Sequence, residues 1–199
     1  MRIDPNILLR SLFDAAIASA QADVCIQHFL PERPAGRTLV IGSMSKSHAM
    51  TGSRIGWIVG PEEAVAHLIN LSTHTTYGVP GYIQEAALFA LRQGADFEAG
   101  IAEPFRRRRE IALRILKGQN VVRAVPPQGA MYMMLDIRAT GLSGNAFGAK
   151  LLEERRIAVM PGESFGASAA GHVRVAMTVD DEAFASAFRD LVDFAGALA

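Results

Sequence analysis

A polar segment that carries a lysine lies between two short apolar runs at residues 40–60, VIGSMSKSHAMTGSRIGWIVG. The flanking runs, 37–43 and 53–60, have the composition of buried strands, and glycine or proline punctuates each of them. Lys46 therefore falls in the connection between two strands. A lysine among serines is poorly suited to a place between buried strands unless it takes part in chemistry, so this segment constrains both fold and function.

The neighbouring segments predict helices alternating with strands, which is the pattern of an α/β fold. Proline opens a helix at 61–74 and another at 80–94, and two acidic residues follow it in the first of them, in keeping with the helix macrodipole. The alanine-rich stretch 7–30 favours a helix, and PERPAG at 31–36 favours a loop.

A long helix over 96–118 is expected to connect two parts of the chain. Its apolar residues after Pro104 fall on one face, at positions 105, 111, 112, 115 and 116. Short strands follow at 120–125, 129–137, 156–162 and 171–178, with helices at 143–156 and 180–198. We therefore predict a boundary between residues 95 and 105, with part of an α/β domain in residues 1–95 and a small α+β domain in residues 96–199.

Charge and composition narrow the class of partner. The chain has 199 residues, and 20 Lys and Arg balance 20 Asp and Glu, so no net field would attract nucleic acid or an anionic membrane. A small neutral or zwitterionic partner fits better. The single cysteine, Cys25, cannot form an internal disulfide, and neither a signal peptide nor a long apolar span is evident, so we expect a soluble protein in the reduced cytoplasm.

Two interpretations of Lys46 fit poorly. A phosphate-binding loop needs two glycines bracketing four residues before Lys-Ser, but Val40 and Ser45 occupy those places. A serine hydrolase could use Ser43 as nucleophile and Lys46 as base in an S-x-x-K pattern, but the accompanying S-D-N and K-T-G elements do not occur.

A third interpretation takes the amine of Lys46 as the partner of an aldehyde in a Schiff base with pyridoxal phosphate. A desolvated lysine near other cations keeps its amine available for such an attack. Ser43, Ser45 and Arg54 supply hydroxyl and guanidinium donors for the phosphate. A plain loop lysine beside an edge-strand arginine is the competing explanation for either residue alone.

At this point the sequence resembles a family. SMSKSHAMTGSRIG, residues 43–56, matches the lysine signature of class I pyridoxal-phosphate aminotransferases of fold type I, with serine three residues before the lysine and arginine eight after it. The likeness continues through GWIVGP, TTYGVPGYIQEAALFAL and GHVRVAMT, and it is greatest to the branch with arginine–pyruvate and aspartate-like transaminases. It implies part of the large domain of a fold type I enzyme followed by the small C-terminal domain.

The resemblance implies a role for each matching residue. Lys46 would hold the cofactor as an internal aldimine and then shuttle a proton, while Ser43 and Arg54 would bind the phosphate. Arg174 would bind the substrate carboxylate. The alternative is that it is a strand arginine in a surface ion pair. Tyr77 would lie on a loop directed toward the partner subunit's cofactor, or simply pack.

The resemblance also implies what is missing, because the matched part is about the C-terminal half of the family. In the family an Asp-x-x-Tyr pair precedes the lysine. Here the nearest candidate is Asp14, which is followed three residues later by Ile17. Residues 1–29 do not follow the family pattern in our comparison of motifs, so we expect a truncated, frame-altered or deliberately cut chain.

The expected function is amino-group transfer between an amino acid and a 2-oxo acid in a homodimer, with little or no turnover by this chain alone. Other outcomes are a noncatalytic remnant that serves as an interaction module, and a lyase or decarboxylase that uses the same cofactor. The strands at 37–43 and 53–60 are expected to expose apolar faces, because the rest of their sheet belongs to the missing half.

Overall fold

The computed structural model describes residues 39–125 and 127–199, and the chain divides into two compact units between Ala102 and Glu103. The domain bounds expected from the sequence, 1–95 and 96–199, remain a prediction. The helix expected over 7–30, the loop expected over 31–36, Cys25 and the candidate Asp14 lie outside the described residues.

The first unit contains a two-stranded antiparallel ribbon. Strand β1 (Val40–Ser43) pairs with β2 (Gly56–Val59), and Ser43 stands opposite Gly56. One helical turn, α1 (Met44–Ser47), follows β1 directly, so Lys46 lies between two paired strands as predicted. The two strands expose alternate side chains, with Ile41 75% and Ile58 41% exposed. The ribbon therefore presents an apolar face, as the sequence led us to expect.

Two helices follow the ribbon. They are α2 (Glu62–Thr75), which begins after Pro61, and α3 (Gly81–Leu91), which begins after Pro80, so both predicted helix starts are confirmed. Helix α3 ends at Leu91, three residues earlier than predicted. Its Ala87 and Ala90 form a small buried core with Met44 and Ile55. This core fixes the position of the turn that carries Lys46.

Helix α4 (Ala95–Ile115) confirms the predicted connecting helix and spans the division between the units. Pro104 lies within it, although proline removes a backbone donor and usually bends a helix. All the apolar positions predicted for one face pack in the core of the second unit: Phe105, Ile111, Ala112, Ile115 and Leu116.

The second unit is a four-stranded antiparallel sheet with helices. Its elements are β3 (Arg123–Val125), β4 (Tyr132–Asp136), α5 (Gly144–Arg155), β5 (Met160–Pro161), β6 (His172–Ala176) and α6 (Asp181–Gly196). The strand order is β3-β4-β6-β5. Along the described residues every helix is too short or too polar to cross a membrane.

Alternation along the strands separates a core face from a site face. Met133 and Leu135 of β4 and Val173 of β6 are fully buried. They belong to one core with large side chains of α5 and α6: Phe147, Leu151, Phe184, Phe188, Leu191 and Phe194. Tyr132 and Arg174 point to the opposite face, because they differ by one residue from buried neighbours.

The strand predicted over 156–162 is wrong in its extent, because only Met160–Pro161 joins the sheet. Arg156 ends α5 with a left-handed φ of 59°. Ile157 and Val159 then pack on the core without joining the ladder. Apolar spacing alone does not distinguish these two arrangements.

Candidate active site

Two features stabilise the turn that carries Lys46: the buried side chain of Met44 and a cap formed by Ser43. Met44 is completely buried, whereas the side chain of Lys46 is exposed. Ser43 has extended backbone geometry and caps the turn, because its Oγ accepts the N–H of Ser45 at 3.2 Å. The desolvation that we expected for Lys46 is therefore not supplied by the described residues.

Further hydrogen bonds tie the turn to the segment around it. The Met44 N–H donates to the carbonyl of Ile55 at 3.3 Å, and Thr51 Oγ1 donates to the carbonyl of Ser45 at 2.8 Å. These bonds fold residues 43–55 into a loop that presents Lys46 at the end of the ribbon.

His48 closes the turn from the buried side, and sequence reasoning missed it. The residue is only 4% exposed. Its Nδ1 lies 2.8 Å from Ser47 Oγ, its Nε2 lies 3.4 Å from Glu98 Oε1, and its ring centre is 6.0 Å from that of Phe97. The buried histidine therefore links the lysine turn to the first turns of α4. Local sequence pattern gives no hint of this contact, because Glu98 comes much later in the chain.

Arg54 lies at the same end of the ribbon as Ser43. It precedes Gly56, the residue opposite Ser43, by two positions. Its backbone is left-handed, with φ of 51° and ψ of 48°, and its Nη1 donates to the carbonyl of Thr51 at 3.1 Å. A non-glycine residue rarely adopts this conformation. The surrounding loop therefore imposes the backbone geometry from which the Arg54 side chain extends.

Tyr77 lies beyond the end of α2 and is 91% exposed. Its φ is 57°, its N–H donates to the carbonyl of Ser72 at 2.9 Å, and Gly78 continues with φ of 86°. Two successive left-handed residues turn the chain sharply toward Pro80. On the described part of the chain the ring of Tyr77 therefore lies largely in solvent.

Arg174 belongs to the second unit and lies over two aromatic rings. Its Cζ lies 4.0 Å from the ring centre of Tyr132 and 4.6 Å from that of Phe165. Among the described residues it makes no ion pair. The surface ion pair that competed with a carboxylate-binding role is thus not found there, and the rings restrict the guanidinium while leaving its donors available.

Glu163 supports the segment that carries Phe165, a role that no sequence pattern indicated. Its Oε1 accepts the N–H of Gly144 at 2.9 Å and that of Gly171 at 3.1 Å, while its Oε2 is buried without a hydrogen-bond partner among the described residues. Backbone N–H donors, its own first and then those of Gly171 and Gly144, hold the pKa of Glu163 below its usual range. The carboxylate joins the start of α5 to the start of β6.

The structure thus brings the predicted residues of the first unit, Ser43, Ser45, Lys46 and Arg54, to one end of the β1–β2 ribbon. This donor set fits a phosphorylated aldehyde. Ser43 Oγ already accepts a hydrogen bond, so its hydroxyl proton remains for an anion, and Arg54 supplies guanidinium donors. The exposed amine of Lys46 can then reach a carbonyl carbon. This arrangement is the one that the resemblance to pyridoxal-phosphate enzymes of fold type I led us to expect.

Comparison with known proteins specifies the family. Residues 12–191 match the family model described as aminotransferase class I and II. Arginine–pyruvate transaminase AruH of Pseudomonas aeruginosa is 44% identical over 155 residues, which cover 78% of this chain and 39% of that protein. An aspartate aminotransferase of Pyrococcus horikoshii is 32% identical over 156 residues, 77% of this chain and 39% of the relative.

Solved structures give the same result. The crystal structure of an aromatic aminotransferase from Pyrococcus horikoshii OT3 superposes with a TM-score of 0.76 at 28% identity, covering 82% of this chain and 44% of that one. Aspartate aminotransferase from Thermus thermophilus with maleate gives 0.73 at 32% identity, covering 81% and 42%.

The chain belongs to the class I and II aminotransferase family, whose members use pyridoxal 5'-phosphate, and it forms part of their fold type I architecture. It spans about two fifths of the length of the relatives it matches. Arginine–pyruvate and aspartate transaminases are among these relatives, as the motif comparison indicated. The match begins at residue 12, so our exclusion of residues 1–29 from the resemblance was wrong for residues 12–29.

Proposed function

We propose that this chain supplies the C-terminal part of an active site that transfers an amino group from an amino acid to a 2-oxo acid. The observation that carries the proposal is the placement of Lys46 in a capped turn beside Ser43 and Arg54. The 2-oxo acid and the amino acid stay open, because a side-chain pocket would include residues that this chain lacks.

Lys46 is the proposed point of cofactor attachment, with Ser43, Ser45 and Arg54 binding the phosphate. Pyridoxal phosphate, when bound, supplies the electron sink that stabilises a carbanion at the substrate α-carbon. Arg54 contributes a rigid fork of donors, and the serine hydroxyls reach the remaining phosphate oxygens. Holding the phosphate at one end of the ribbon orients the aldehyde toward the lysine.

Lys46 is also the proposed base for the α-proton. A free amine at the end of a short turn can accept a proton and return it at a neighbouring atom, which is the central proton transfer of transamination. The side chain is exposed on the described part of the chain, so the missing half of the site would have to exclude water from it.

Arg174 is the proposed partner of the substrate α-carboxylate. Its guanidinium is restricted by the Tyr132 and Phe165 rings, which lowers the entropy lost when a carboxylate binds. Two parallel N–H donors match two carboxylate oxygens. The arginine thus sets which end of the amino acid is held.

A complete site further requires residues from outside this chain. We propose a homodimer in a cytoplasmic setting, in which Tyr77 contacts the cofactor of the partner subunit. Tyr77 is almost fully exposed here, as such a role requires. Sedimentation of the purified chain at micromolar concentration tests the assembly, and a monomer at every concentration would contradict it.

The decisive experiment is reductive trapping. The 199-residue chain is incubated with pyridoxal 5'-phosphate, reduced with borohydride and digested, and the three lysines, Lys46, Lys117 and Lys150, are compared by peptide mass. We expect Lys46 to carry most of the label and Arg54→Gln to reduce its share, with Arg123→Gln as the matched control. Equal labelling of all three lysines would contradict the proposal.

A noncatalytic remnant is the second candidate, because the chain spans only about two fifths of its relatives. It predicts a folded second unit and no preferential labelling of Lys46. If the label is on Lys46, a coupled assay for 2-oxo acid formation across amino acids separates a transaminase from a lyase or decarboxylase, since only the transaminase requires a 2-oxo acid to turn over. We expect little or no turnover from this chain alone.

A further inference from the structure

We propose that His48 is a positioning residue for Lys46, and that Glu98 sets the hydrogen-bond state through which His48 acts. The inference rests on the proposed function in that Lys46 is taken as the cofactor lysine. Neither His48 nor Glu98 is assigned a cofactor or substrate contact. Their effect reaches Lys46 through Ser47, the residue between the lysine and the histidine.

The turn that holds Lys46 cannot stabilise itself. Helix α1 has four residues, and a helical segment of that length is far too short to be stable without outside support. Within residues 39–125, the hydrogen bonds that stabilise the turn join it to residues of the same loop, from Ser43 to Ile55. One polar contact is an exception. That exception is the contact between His48 and Glu98, which connects the turn to helix α4.

The contact also decides the direction of the neighbouring hydrogen bond. The carboxylate oxygen Oε1 of Glu98 lies 3.4 Å from Nε2 of His48, and its negative charge favours a proton on that nitrogen. In the neutral ring Nδ1 is then an acceptor, and it takes the hydroxyl proton of Ser47 at 2.8 Å. Glu98 therefore selects the tautomer of His48, and His48 orients Ser47.

Without Glu98 the same hydroxyl has another acceptor. Ser47 Oγ lies 3.4 Å from the carbonyl of Ser43, a longer contact than the one to His48. If the opposite tautomer forms, Nδ1 becomes a donor and the Ser47 proton turns to Ser43. Because Ser43 caps the turn and is a proposed phosphate ligand, this change alters the support on both sides of Lys46.

A buried histidine is often no more than a satisfied core residue, and the two roles make different predictions. A core role depends on the volume of the ring, which is 4% exposed and stacks near Phe97. A positioning role depends instead on an acceptor oxygen at position 98. The Glu98 side chain that provides it is 14% exposed. Glu98→Gln keeps an acceptor oxygen, whereas Glu98→Ala removes it.

The experiment compares Glu98→Ala, Glu98→Gln, His48→Phe and the double variant His48→Phe/Glu98→Ala in the full chain. Glu103→Ala on the same helix is the control, since Glu103 pairs with Arg106 and Arg107 at the surface. The first readout is the rate at which pyridoxal 5'-phosphate with reductant labels Lys46, relative to Lys150. The second is hydrogen exchange at the amides of His48 and Met50, which donate to the carbonyl of Met44.

We expect Glu98→Ala to slow labelling of Lys46 about fivefold, as the loss of one largely buried polar contact allows, and to speed exchange at both amides. Glu98→Gln should stay within about twofold of the native chain. The double variant should be no slower than His48→Phe alone, because both changes break one chain of contacts. Glu103→Ala should change neither readout.

Equal behaviour of Glu98→Ala and the native chain in both readouts would overturn the inference, as would equal losses in Glu98→Ala and Glu98→Gln. If the native chain labels Lys46 no faster than Lys150, the proposed function fails, and the exchange readout alone then decides the role of His48. If the first unit does not fold in His48→Phe, as judged by exchange in β2 and α3, the Glu98→Ala and Glu98→Gln pair still gives the answer.

Discussion

The guanidinium of Arg174 stacks against Tyr132, with 4.0 Å from Cζ to the ring centre. Phe165 contacts it as well, at 4.6 Å. Rings on the faces of a guanidinium leave its N–H donors, which lie in the plane, free for a planar partner. The carboxylate-binding role proposed for Arg174 can therefore be tested directly.

Arg174→Lys should weaken the binding of succinate about tenfold, because an ammonium neither stacks in the same way nor binds both oxygens. The measurement is a succinate titration followed by the ring resonances of Tyr132 and Phe165. Arg123→Lys, an exposed change on the neighbouring part of the same sheet, should leave the affinity unchanged. Native affinity in Arg174→Lys would refute a bidentate role.

Two adjacent leucines on α5 provide a matched pair for the core. Leu151 is completely buried and Leu152 is 50% exposed. Leu151→Ala should destabilise the second unit by about 2–5 kcal/mol, since it removes buried methyl groups and leaves a cavity, whereas Leu152→Ala should cost less than about 1 kcal/mol. Urea unfolding followed by circular dichroism measures both. Similar losses would mean that α5 packs in another rotation.

The ion pair of Asp136 with Arg138 predicts how the stability of the second unit changes at acidic pH. Hydrogen bonding from the Arg138 side chain lowers the pKa of Asp136 to about 2. Because the folded-state pKa lies below the unfolded value of about 3.9, this pair contributes fully above about pH 4, and the contribution is lost as the pH falls toward about 2. The Arg138 side chain is 68% exposed, so solvent screening keeps the contribution of this pair to stability small.

Asp136→Asn should therefore lower stability at about pH 5 and have little effect at about pH 2. The comparison is between urea midpoints of the native and variant chains at the two values. Arg138→Ala should behave alike, and combining the two changes should add little. An Asp136→Asn penalty of the same size at both values would show that the ion pair is not its cause.

Gly42 is the place where the ribbon is most sensitive to a side chain. A Cβ at this position would collide with the ring of Trp57, the cross-strand partner of Gly42. Gly42→Ala should displace the indole, shift the fluorescence of this single tryptophan to longer wavelength and destabilise the ribbon by about 1–3 kcal/mol.

Gly52→Ala is the matched control for that change. Nothing lies within 4 Å of a Cβ built on Gly52, so its emission spectrum and stability should match those of the native chain. An unchanged spectrum in Gly42→Ala would contradict the ring placement described for Trp57.

Local pattern was enough to predict most of the described elements. Lys46 falls in the connection between two strands because apolar runs on both sides require it, and the apolar stripe of α4 identified its packing face. The extent of β5 was wrong, because residues that pack on a core and residues that join a sheet have the same apolar spacing.

The supporting residues of the site could not be predicted in the same way. His48 and Glu98 meet only because α3 and α4 return the chain to the lysine turn, and Glu163 acts on backbone groups of Gly144 and Gly171 rather than on a recognisable side-chain motif. Sequence patterns report local periodicity, whereas these contacts depend on tertiary structure.

The left-handed backbone of Arg54 would set stability against the phosphate-binding role proposed for this residue. Glycine would adopt φ of 51° without the steric cost of a Cβ, which is on the order of 1 kcal/mol. A library at position 54 selected only for a folded, protease-resistant chain should therefore enrich glycine and asparagine. A library selected for retention of a phosphorylated ligand should keep arginine, at the expense of the fold that presents it.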